Sequence, residues 1–374
     1  MTQPTPISTL TDLRAALQLA IGVELSTIPV YLTALYSIEE GRNTEAAQTI
    51  RSVVMEEMLH MTLAANVLNA LGEVPSVEPV TFQGHEGLGP IPDYPLDSPL
   101  ISGIGTLGLL PFSPRAVDGF IRIEHPLHGA ADVDEIAAGA CGYRTIGEFY
   151  GAVVLALKDP AICPDSAFQH RNQVPDTQYY GGAGHVVEVR DRASALQAVR
   201  TIVDEGEGLP PEHLEQEAKK VTTEDRLRSG WQMYSHYARF RELRTGRRFR
   251  TGQLAHEEPE GALLLVDYGA VHPTLHVPRN GDRADGPEDA ALIEFDLAYS
   301  GLVDGLYRAF SGEPEALPRA VHTMHELRHR AVALMRTPVP GDPAHTLCPR
   351  FSYLPLGDRE KQARQAAELR ERSR

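Results

Sequence analysis

The sequence predicts a mostly α-helical bundle that carries a long insertion rich in proline and glycine. Residues 9–40 and 44–72 repeat apolar positions every three or four residues, which is the period of one buried helix face. Residues 73–112 are rich in proline and glycine and lack that period, so we predict an ordered lid loop opening an insertion over residues 73–191. With 374 residues, 42% of them hydrophobic, the chain can bury a substantial core, and we predict one domain over residues 1–374.

The first predicted helix carries a carboxylate in an otherwise apolar stripe. Glu24 lies four residues after Ala20 and four before Ile28, so the three share one helix face. A glutamate is rarely buried without a partner. Pro29 lies inside the same helix, where it removes a backbone donor and is expected to bend the chain beside Glu24.

The second predicted helix contains a Glu-x-x-His motif on its apolar face. Glu57 and His60 are three residues apart and share the stripe of Val53 and Ala64, so both side chains should point into the core. Burying both groups is costly unless something replaces the lost water. A bound metal cation would do so; a buried Glu–His hydrogen bond, or a rotation that exposes both groups, are the alternatives. Glu56 turns away from this stripe and is the weaker candidate.

Capping signals predict the shorter helices that follow. Ser113 precedes a proline, Thr145 opens a capping box with Glu148, and Asp191 is a plausible N-cap. The predicted helices are residues 113–124, 145–156, 192–207, 224–245, 289–310 and 315–336, with a short strand at residues 185–189.

One further ligand is expected near the end of the helix over residues 192–207. Glu207 continues the apolar stripe of Val199 and Val203. Glu205 would be rotated by about 200° from Glu207 in an α-helix, so we favour Glu207, although either could be the ligand. A solvated helix end is the alternative.

A second histidine is predicted to face the core. His236 shares a helix face with Phe240; an ordinary core histidine is the alternative. A symmetric two-metal bundle would carry glutamate three residues before this histidine, where the chain has Met233. Another Glu-x-x-His, formed by Glu326 and His329, lies away from the apolar face of its helix, so we predict that this pair is solvated.

These residues define a predicted metal site with room for one or two ions. Carboxylate and imidazole donors suit iron, with manganese as the alternative. Iron with an open coordination position can use O2 as a co-substrate. Tyr31 lies seven residues from Glu24 on the same face and could line the pocket or relay an electron; Tyr150, Tyr179, Tyr180 and Trp231 are looser candidates for its wall. The predicted ligands are Glu24, Glu57, His60, Glu207 and His236.

Several segments also resemble a known family. Two of them are quite specific, namely Glu24-Leu25-Ser26-Thr27-Ile28-Pro29-Val30-Tyr31-Leu32 and Glu56-Glu57-Met58-Leu59-His60-Met61; the others are residues 34–38, 69–72, 123–126, 145–150, 205–208, 235–240 and 295–300. Over about residues 10–355 the chain resembles the ferritin-like domain of the iminophenyl-pyruvate dimer synthases. The resemblance implies a ferritin-like helical bundle with additional helices.

The same resemblance bears on function. In that family the domain occurs in large enzymes that oxidatively couple two amino-acid-derived imines, and in free-standing proteins of diverse chemistry, which this chain resembles more. Only the family pattern suggests that His125 and Arg239 hold a substrate carboxylate. We therefore predict a non-haem iron, O2-dependent oxidase or oxygenase that acts on an amino-acid-derived small molecule in secondary-metabolite biosynthesis. Metal storage and a metal-free accessory role are the alternatives.

Composition limits the partners and the compartment. The formal net charge is −16, with 51 acidic against 35 basic residues, which disfavours nucleic acid and anionic membranes. No uninterrupted apolar run is evident that would span a bilayer, and no signal peptide is evident. Cys141, Cys163 and Cys348 show no metal or redox spacing, so we predict a reducing, cytoplasmic setting. The sequence leaves the oligomeric state open, a homo-oligomer included.

Overall fold

Helices account for most of the structure, a computed structural model that describes residues 7–98, 100–126, 142–179, 184–207, 234–250, 253, 257–275 and 287–372. The helices in these ranges are α1 Leu10–Ser37, α2 Thr44–Ala70, α3 Pro114–Ile123, α4 Ile146–Lys158, α5 Arg192–Ile202, α6 His236–Thr245, α7 Pro287–Phe310, α8 Leu317–Leu334 and α9 Leu356–Arg372. A single π-helical turn, Val203–Glu207, continues α5. The predicted mostly helical fold is confirmed.

The two long helices α1 and α2 pack against each other and form one side of the bundle. The Thr9 side chain caps α1 by accepting a hydrogen bond from the Asp12 backbone N–H. The helix runs on through Pro29. A short turn after Ser37 leads directly into α2, which makes the two helices antiparallel neighbours.

Short helices complete the bundle on the other side. α5 packs on α2 and α4, α6 packs on α2 and α3, and both α3 and α4 contact α1. The predicted caps Ser113, Thr145 and Asp191 are confirmed, because each side chain accepts a hydrogen bond from a backbone N–H in the first turn of its helix. The four short helices α3, α4, α5 and α6 therefore pack on the pair formed by α1 and α2.

Two predicted helices differ from the structure at their ends. The α-helix predicted over residues 192–207 stops at Ile202 and gives way to the π-helical turn. Of the helix predicted over residues 224–245, the described part begins at His236, where the Ser235 side chain caps it by accepting a hydrogen bond from the Ala238 backbone N–H. Residues 224–233 lie outside the described part of the chain.

The lid region over residues 73–112 is non-helical apart from one short turn, as predicted, but it contains strands that the sequence analysis did not identify. They form two antiparallel pairs, and residues 185–189, predicted as a strand, have no regular structure. Asn66 on α2 anchors the later part of the insertion, donating to the carbonyls of Val174 and Val187 and accepting from the Val174 N–H. The strands are β1 Val80–Phe82, β2 His85–Leu88, β3 Leu96–Asp97 and β4 Thr106–Leu107.

The carboxy-terminal region forms a helical layer that packs on the bundle. The predicted pair over residues 289–336 is confirmed as α7 and α8, and α9 packs on α7. A buried ion pair between Asp296 and Arg350, with Nη2 to Oδ2 at 2.7 Å, joins α7 to the segment before α9. A small sheet in the order β5–β7–β6 completes the region; its strands are β5 Thr274–Leu275, β6 Pro338–Val339 and β7 Asp342–Leu347.

By length and composition alone, α1 could cross a membrane, contrary to the expectation from the sequence. Within its most apolar 18-residue window, 89% of the residues are buried in the protein. Core helices of this length commonly pass the same test, so α1 is weak support for a membrane span.

The close approach of α1 to the lid gives a first testable prediction. A Cβ atom added at Gly22 would lie 2.7 Å from the Cα and carbonyl oxygen of Pro90. We expect Gly22→Ala to lower the free energy of unfolding by about 1–3 kcal/mol, because backbone must move. Gly301→Ala on α7, where no described atom lies within 4 Å, should instead be neutral or add up to about 1 kcal/mol. Urea denaturation of both variants measures this, and equal stabilities would contradict the prediction.

Candidate metal centre

One half of the centre joins the first two helices. Glu57 and His60 lie one turn apart on the same face of α2, and both are buried. Glu24 reaches them from α1: its Oε2 atom lies 3.5 Å from His60 Nδ1, and Glu57 Oε2 lies at the same distance from that nitrogen. One ligand atom from each residue fits within 4.8 Å of the others, so this triad could hold a cation.

The other half uses the same Glu57 with two residues from later elements. Glu57 Oε1 lies 3.1 Å from Nδ1 of His236, the first residue of α6, and Glu124 Oε1 lies 3.5 Å from the same nitrogen. Glu124 directly follows α3. The imidazoles of His60 and His236 are stacked with their centroids 5.5 Å apart. Glu57 thus lies between two triads, each with its own histidine and its own outer carboxylate.

Each histidine turns its second ring nitrogen toward another carboxylate. Nε2 of His60 lies 3.2 Å from Glu205 Oε2, and Nε2 of His236 lies 2.8 Å from Glu56 Oε2. Glu56 is also paired with Arg239 inside the protein. A metal-binding histidine usually donates its remote N–H to such a carboxylate, which fixes the ring and leaves the other nitrogen for the ion.

Two buried tyrosines contact the outer carboxylates. The Tyr150 hydroxyl donates to Glu24 Oε1, and the Tyr31 hydroxyl donates to Glu124 Oε1. Tyr31 also packs edge-on against Phe120, with centroids 4.8 Å apart. The two halves therefore follow the same plan: a carboxylate held by a tyrosine and a histidine held by a carboxylate, arranged about a shared glutamate.

The buried carboxylates strongly shift the pKa values of one another and of the two imidazoles. Burial alone would lower the pKa of His60, but contacts with Glu205 and two further carboxylates outweigh it and raise that pKa well above the usual range. The pKa of His236 is likewise raised, because Glu124 and Glu57 outweigh burial. Burial and the charge of Glu124 raise the pKa of Glu57 to about 7. Protons on the two histidines thus offset the negative charge of the carboxylates. A bound cation could offset that charge in their place.

The donor atoms of the centre fit a metal ion. Within the described ranges, four of its buried atoms make no well-aligned hydrogen bond, although both Nδ1 atoms lie 3.1–3.5 Å from carboxylate oxygens. They are Nδ1 of His60, Nδ1 of His236, Oε1 of Glu57 and Oε2 of Glu124. Unsatisfied buried polar atoms are rare and need a cause. Carboxylate oxygen and imidazole nitrogen are the donors of iron and manganese sites in helical bundles.

The structure brings together four of the five predicted ligands, namely Glu24, Glu57, His60 and His236. The backbone of Glu207 ends the π-helical turn, but its side chain lies outside the described part of the molecule. Glu205, the alternative that the sequence analysis disfavoured, contacts His60. In the π-helical turn the residues no longer follow the α-helical spacing on which the preference for Glu207 depended.

Three other sequence predictions can be compared with the site. Tyr31 lies in the centre, although its hydroxyl contacts Glu124 rather than Glu24. Arg239 is buried beside the centre, where its terminal nitrogens donate to Glu56 and Ser52, so a substrate carboxylate would have to compete with Glu56. The prediction that Glu326 and His329 are solvated is confirmed, since both are exposed on α8.

Sequence reasoning missed Glu124 and misjudged Glu56. Glu124 lies four residues after Phe120, on the buried stripe of α3, so continuing that stripe past the helix end would have found it. Glu56 was expected to turn away from the core, yet it is 2% exposed. The structure corrects this, because α6 covers the second face of α2 and places His236 and Arg239 against Glu56.

Comparison with known proteins shows which family this chain is similar to. The ferritin-like family model matches residues 17–245. Dichlorochromopyrrolate synthase of Lentzea aerocolonigenes is 26% identical over 98% of this chain and 38% of its own length. The 2-imino-3-(indol-3-yl)propanoate dimerase of Chromobacterium violaceum is 27% identical over 64% of this chain and 24% of its own length. The chain therefore spans well under half of these curated relatives.

A solved structure supports the same fold. A ferritin-like protein from Caulobacter vibrioides superposes with a TM-score of 0.57 at 22% identity, covering 93% of this chain and 100% of that chain. At that identity the likeness concerns the fold alone. The resemblance to the dimer synthases noted from the sequence is confirmed by the two relatives, and the chain belongs to the ferritin-like family.

Proposed function

We propose that this protein is a non-haem iron enzyme that uses O2 to oxidise an amino-acid-derived small molecule in secondary metabolism. The observation that carries the proposal is the pair of buried triads about Glu57, in which Nδ1 of both His60 and His236 face two carboxylates at 3.1–3.5 Å without a well-aligned hydrogen bond in the described structure. A purely structural cluster would be expected to satisfy such atoms with hydrogen bonds.

The charge of the cluster supports two divalent ions rather than one. The Glu56 carboxylate is neutralised by Arg239, and among the side chains that the structure describes four other carboxylates lie around the two imidazoles. Two divalent cations would offset four negative charges, whereas one would leave two of them buried or nearly so, at considerable cost. The donor set suits iron, with manganese as the alternative. The four carboxylates are those of Glu24, Glu57, Glu124 and Glu205.

When bound, iron would supply electrons to O2 and accept electrons from the substrate. The protein's own residues would hold and orient the centre. Glu57 would bind both ions, while Glu56 would accept a hydrogen bond from the His236 Nε2–H and so present Nδ1 inward. Tyr31 and Tyr150 would hold a proton at their hydroxyl oxygens beside the outer carboxylates. Phe120 and Phe240, packed on Tyr31, would exclude water from that side.

The substrate class is proposed from the relatives' names. One of them dimerises 2-imino-3-(indol-3-yl)propanoate, an α-imino acid that carries an indole. A related small molecule derived from an amino acid would suit the same fold. Acidic charge and the buried free thiols of Cys163 and Cys348 support a reducing, cytoplasmic setting without nucleic-acid partners.

Anaerobic loading with Fe(II) tests the proposed function. We expect about two iron ions per chain after desalting, uptake of O2 when air is admitted, and an accompanying change in the absorption spectrum. A storage protein, the second candidate within this family, would instead take up many ions per chain. Protein that holds no iron, or holds iron that neither consumes O2 nor changes spectrally, would contradict the proposal.

A further inference from the structure

Two buried tyrosines each occupy one oxygen of an outer carboxylate. Tyr150 on α4 donates a hydrogen bond to Glu24 Oε1, and Tyr31 on α1 donates one to Glu124 Oε1. All four side chains lie in the interior, with at most 1% of each residue exposed. Solvent cannot replace such a donor, so each tyrosine decides which oxygen of its carboxylate remains available to the rest of the centre.

The two oxygens of Glu24 face different partners. Oε1 accepts the hydrogen bond from Tyr150, whereas Oε2 lies 3.5 Å from His60 Nδ1. An ionised carboxylate can only accept hydrogen bonds or bind cations. The contact with Tyr150 therefore leaves Oε2 as the oxygen for an ion in the triad of Glu24, Glu57 and His60, and α4 thereby orients a carboxylate that α1 carries.

The oxygens of Glu124 are divided in a similar way. Oε1 accepts the hydrogen bond from Tyr31 and also lies 3.5 Å from His236 Nδ1. Oε2 is buried and makes no well-aligned hydrogen bond within the part of the chain that the structure describes. A buried carboxylate oxygen of this kind needs a partner, so Oε2 is the oxygen that Tyr31 leaves free for an ion.

We propose that Tyr150 and Tyr31 are positioning residues, one for each ion, that make the outer carboxylates bind through a single oxygen. The inference deepens the proposed function and rests on it, since it concerns the same two ions. With one oxygen from Glu24 or Glu124, one from Glu57 and one histidine nitrogen, the described side chains supply three donors to each ion. An outer carboxylate that bound through both oxygens would add a fourth and would fill a position that O2 or a substrate needs.

Tyr150→Phe and Tyr31→Phe test the proposal by Mössbauer spectroscopy of protein loaded anaerobically with isotopically enriched Fe(II). In either variant one carboxylate oxygen loses its donor while it stays buried, and binding the neighbouring ion as well would satisfy it. We expect each single variant to hold about two ions per chain, with a changed quadrupole splitting for about half of the iron. The double variant should change the splitting for all of it.

Tyr307→Phe is the matched control. Tyr307 is a buried tyrosine on α7 whose hydroxyl makes no hydrogen bond with any described residue, so removing that hydroxyl should cost little. This variant should give the wild-type spectrum. All of these variants keep the aromatic ring and lose one oxygen atom, so we expect the metal-free proteins to fold, which urea denaturation checks. Each of the two tyrosines of the centre also tests the proposal without the other.

Three results would overturn the proposal while leaving the proposed function intact. A wild-type spectrum in Tyr150→Phe or Tyr31→Phe would make that hydrogen bond a purely structural one. An equal change of both ions in a single variant would mean that the tyrosines do not act on one ion each. Loss of an ion at saturating iron would mean that the hydroxyl is required for binding itself. Wild-type protein that holds no iron would overturn the proposed function and this inference together.

Discussion

Replacing Glu57 with glutamine should abolish binding of the two proposed metal ions. Glu57 Oε1 lies 3.1 Å from His236 Nδ1, and Glu57 Oε2 lies 3.5 Å from His60 Nδ1, so this carboxylate belongs to both triads. An amide cannot supply the negative charge that each ion requires. We expect iron per chain to fall from about two to near zero, with loss of O2 uptake. Elemental analysis after anaerobic loading and desalting measures this.

The control is Glu326→Gln. Glu326 belongs to the second Glu-x-x-His of the chain but is exposed on α8, so this variant should keep its full iron content. Metal-free Glu57→Gln should melt no lower than the metal-free wild type, because burial and Glu124 already disfavour the Glu57 charge and raise its pKa to about 7. A variant that retains two ions would contradict the assignment of Glu57 as the shared ligand.

The first half of this centre was predictable because its residues lie on regular helices. Glu24 and the Glu57–His60 pair interrupt apolar stripes whose period is unambiguous. The same reasoning failed for Glu56. From Glu56 to Ala70 every residue of α2 is buried, so the helix has no solvent face. An apolar stripe then shows that one face of the helix is packed, but it does not show that the other faces are exposed.

The rest of the centre was harder to predict because it is built from helix ends and an irregular turn. Glu124 follows the last residue of α3, Glu205 lies in the π-helical turn, and His236 begins α6. Periodicity is least informative at such positions.

Arg239→Met should be among the most destabilising substitutions in the protein. The guanidinium of Arg239 and the carboxylate of Glu56 are each about 2% exposed and are paired, and Arg239 Nη1 donates to Ser52 at 2.9 Å. Removing one partner of a buried ion pair costs about 3–5 kcal/mol, and among the described residues Glu56 would keep only the contact with His236 Nε2 to offset its buried charge. Urea denaturation of the metal-free protein measures the loss.

Arg244→Met on the same helix provides the matched control. Arg244 is paired with Asp118, but both side chains are about half exposed, so its loss should cost about 1 kcal/mol or less. If the two variants lose equal stability, Glu56 and Arg239 do not act as a buried pair.

Combining Arg239→Met with Glu56→Gln separates the structural role of this pair from its effect on the metal. The double variant leaves no uncompensated charge, so it should recover much of the stability lost in Arg239→Met. It should not recover metal affinity, since the neutral amide at position 56 accepts a weaker hydrogen bond from the His236 Nε2–H than a carboxylate does. Loss of such an outer partner typically weakens metal binding by about 10–100-fold. Restored stability with weakened retention of iron would show that Arg239 supports Glu56 and, through Glu56, the orientation of His236. Full recovery of both stability and iron retention would instead show that the Glu56–Arg239 pair is purely structural.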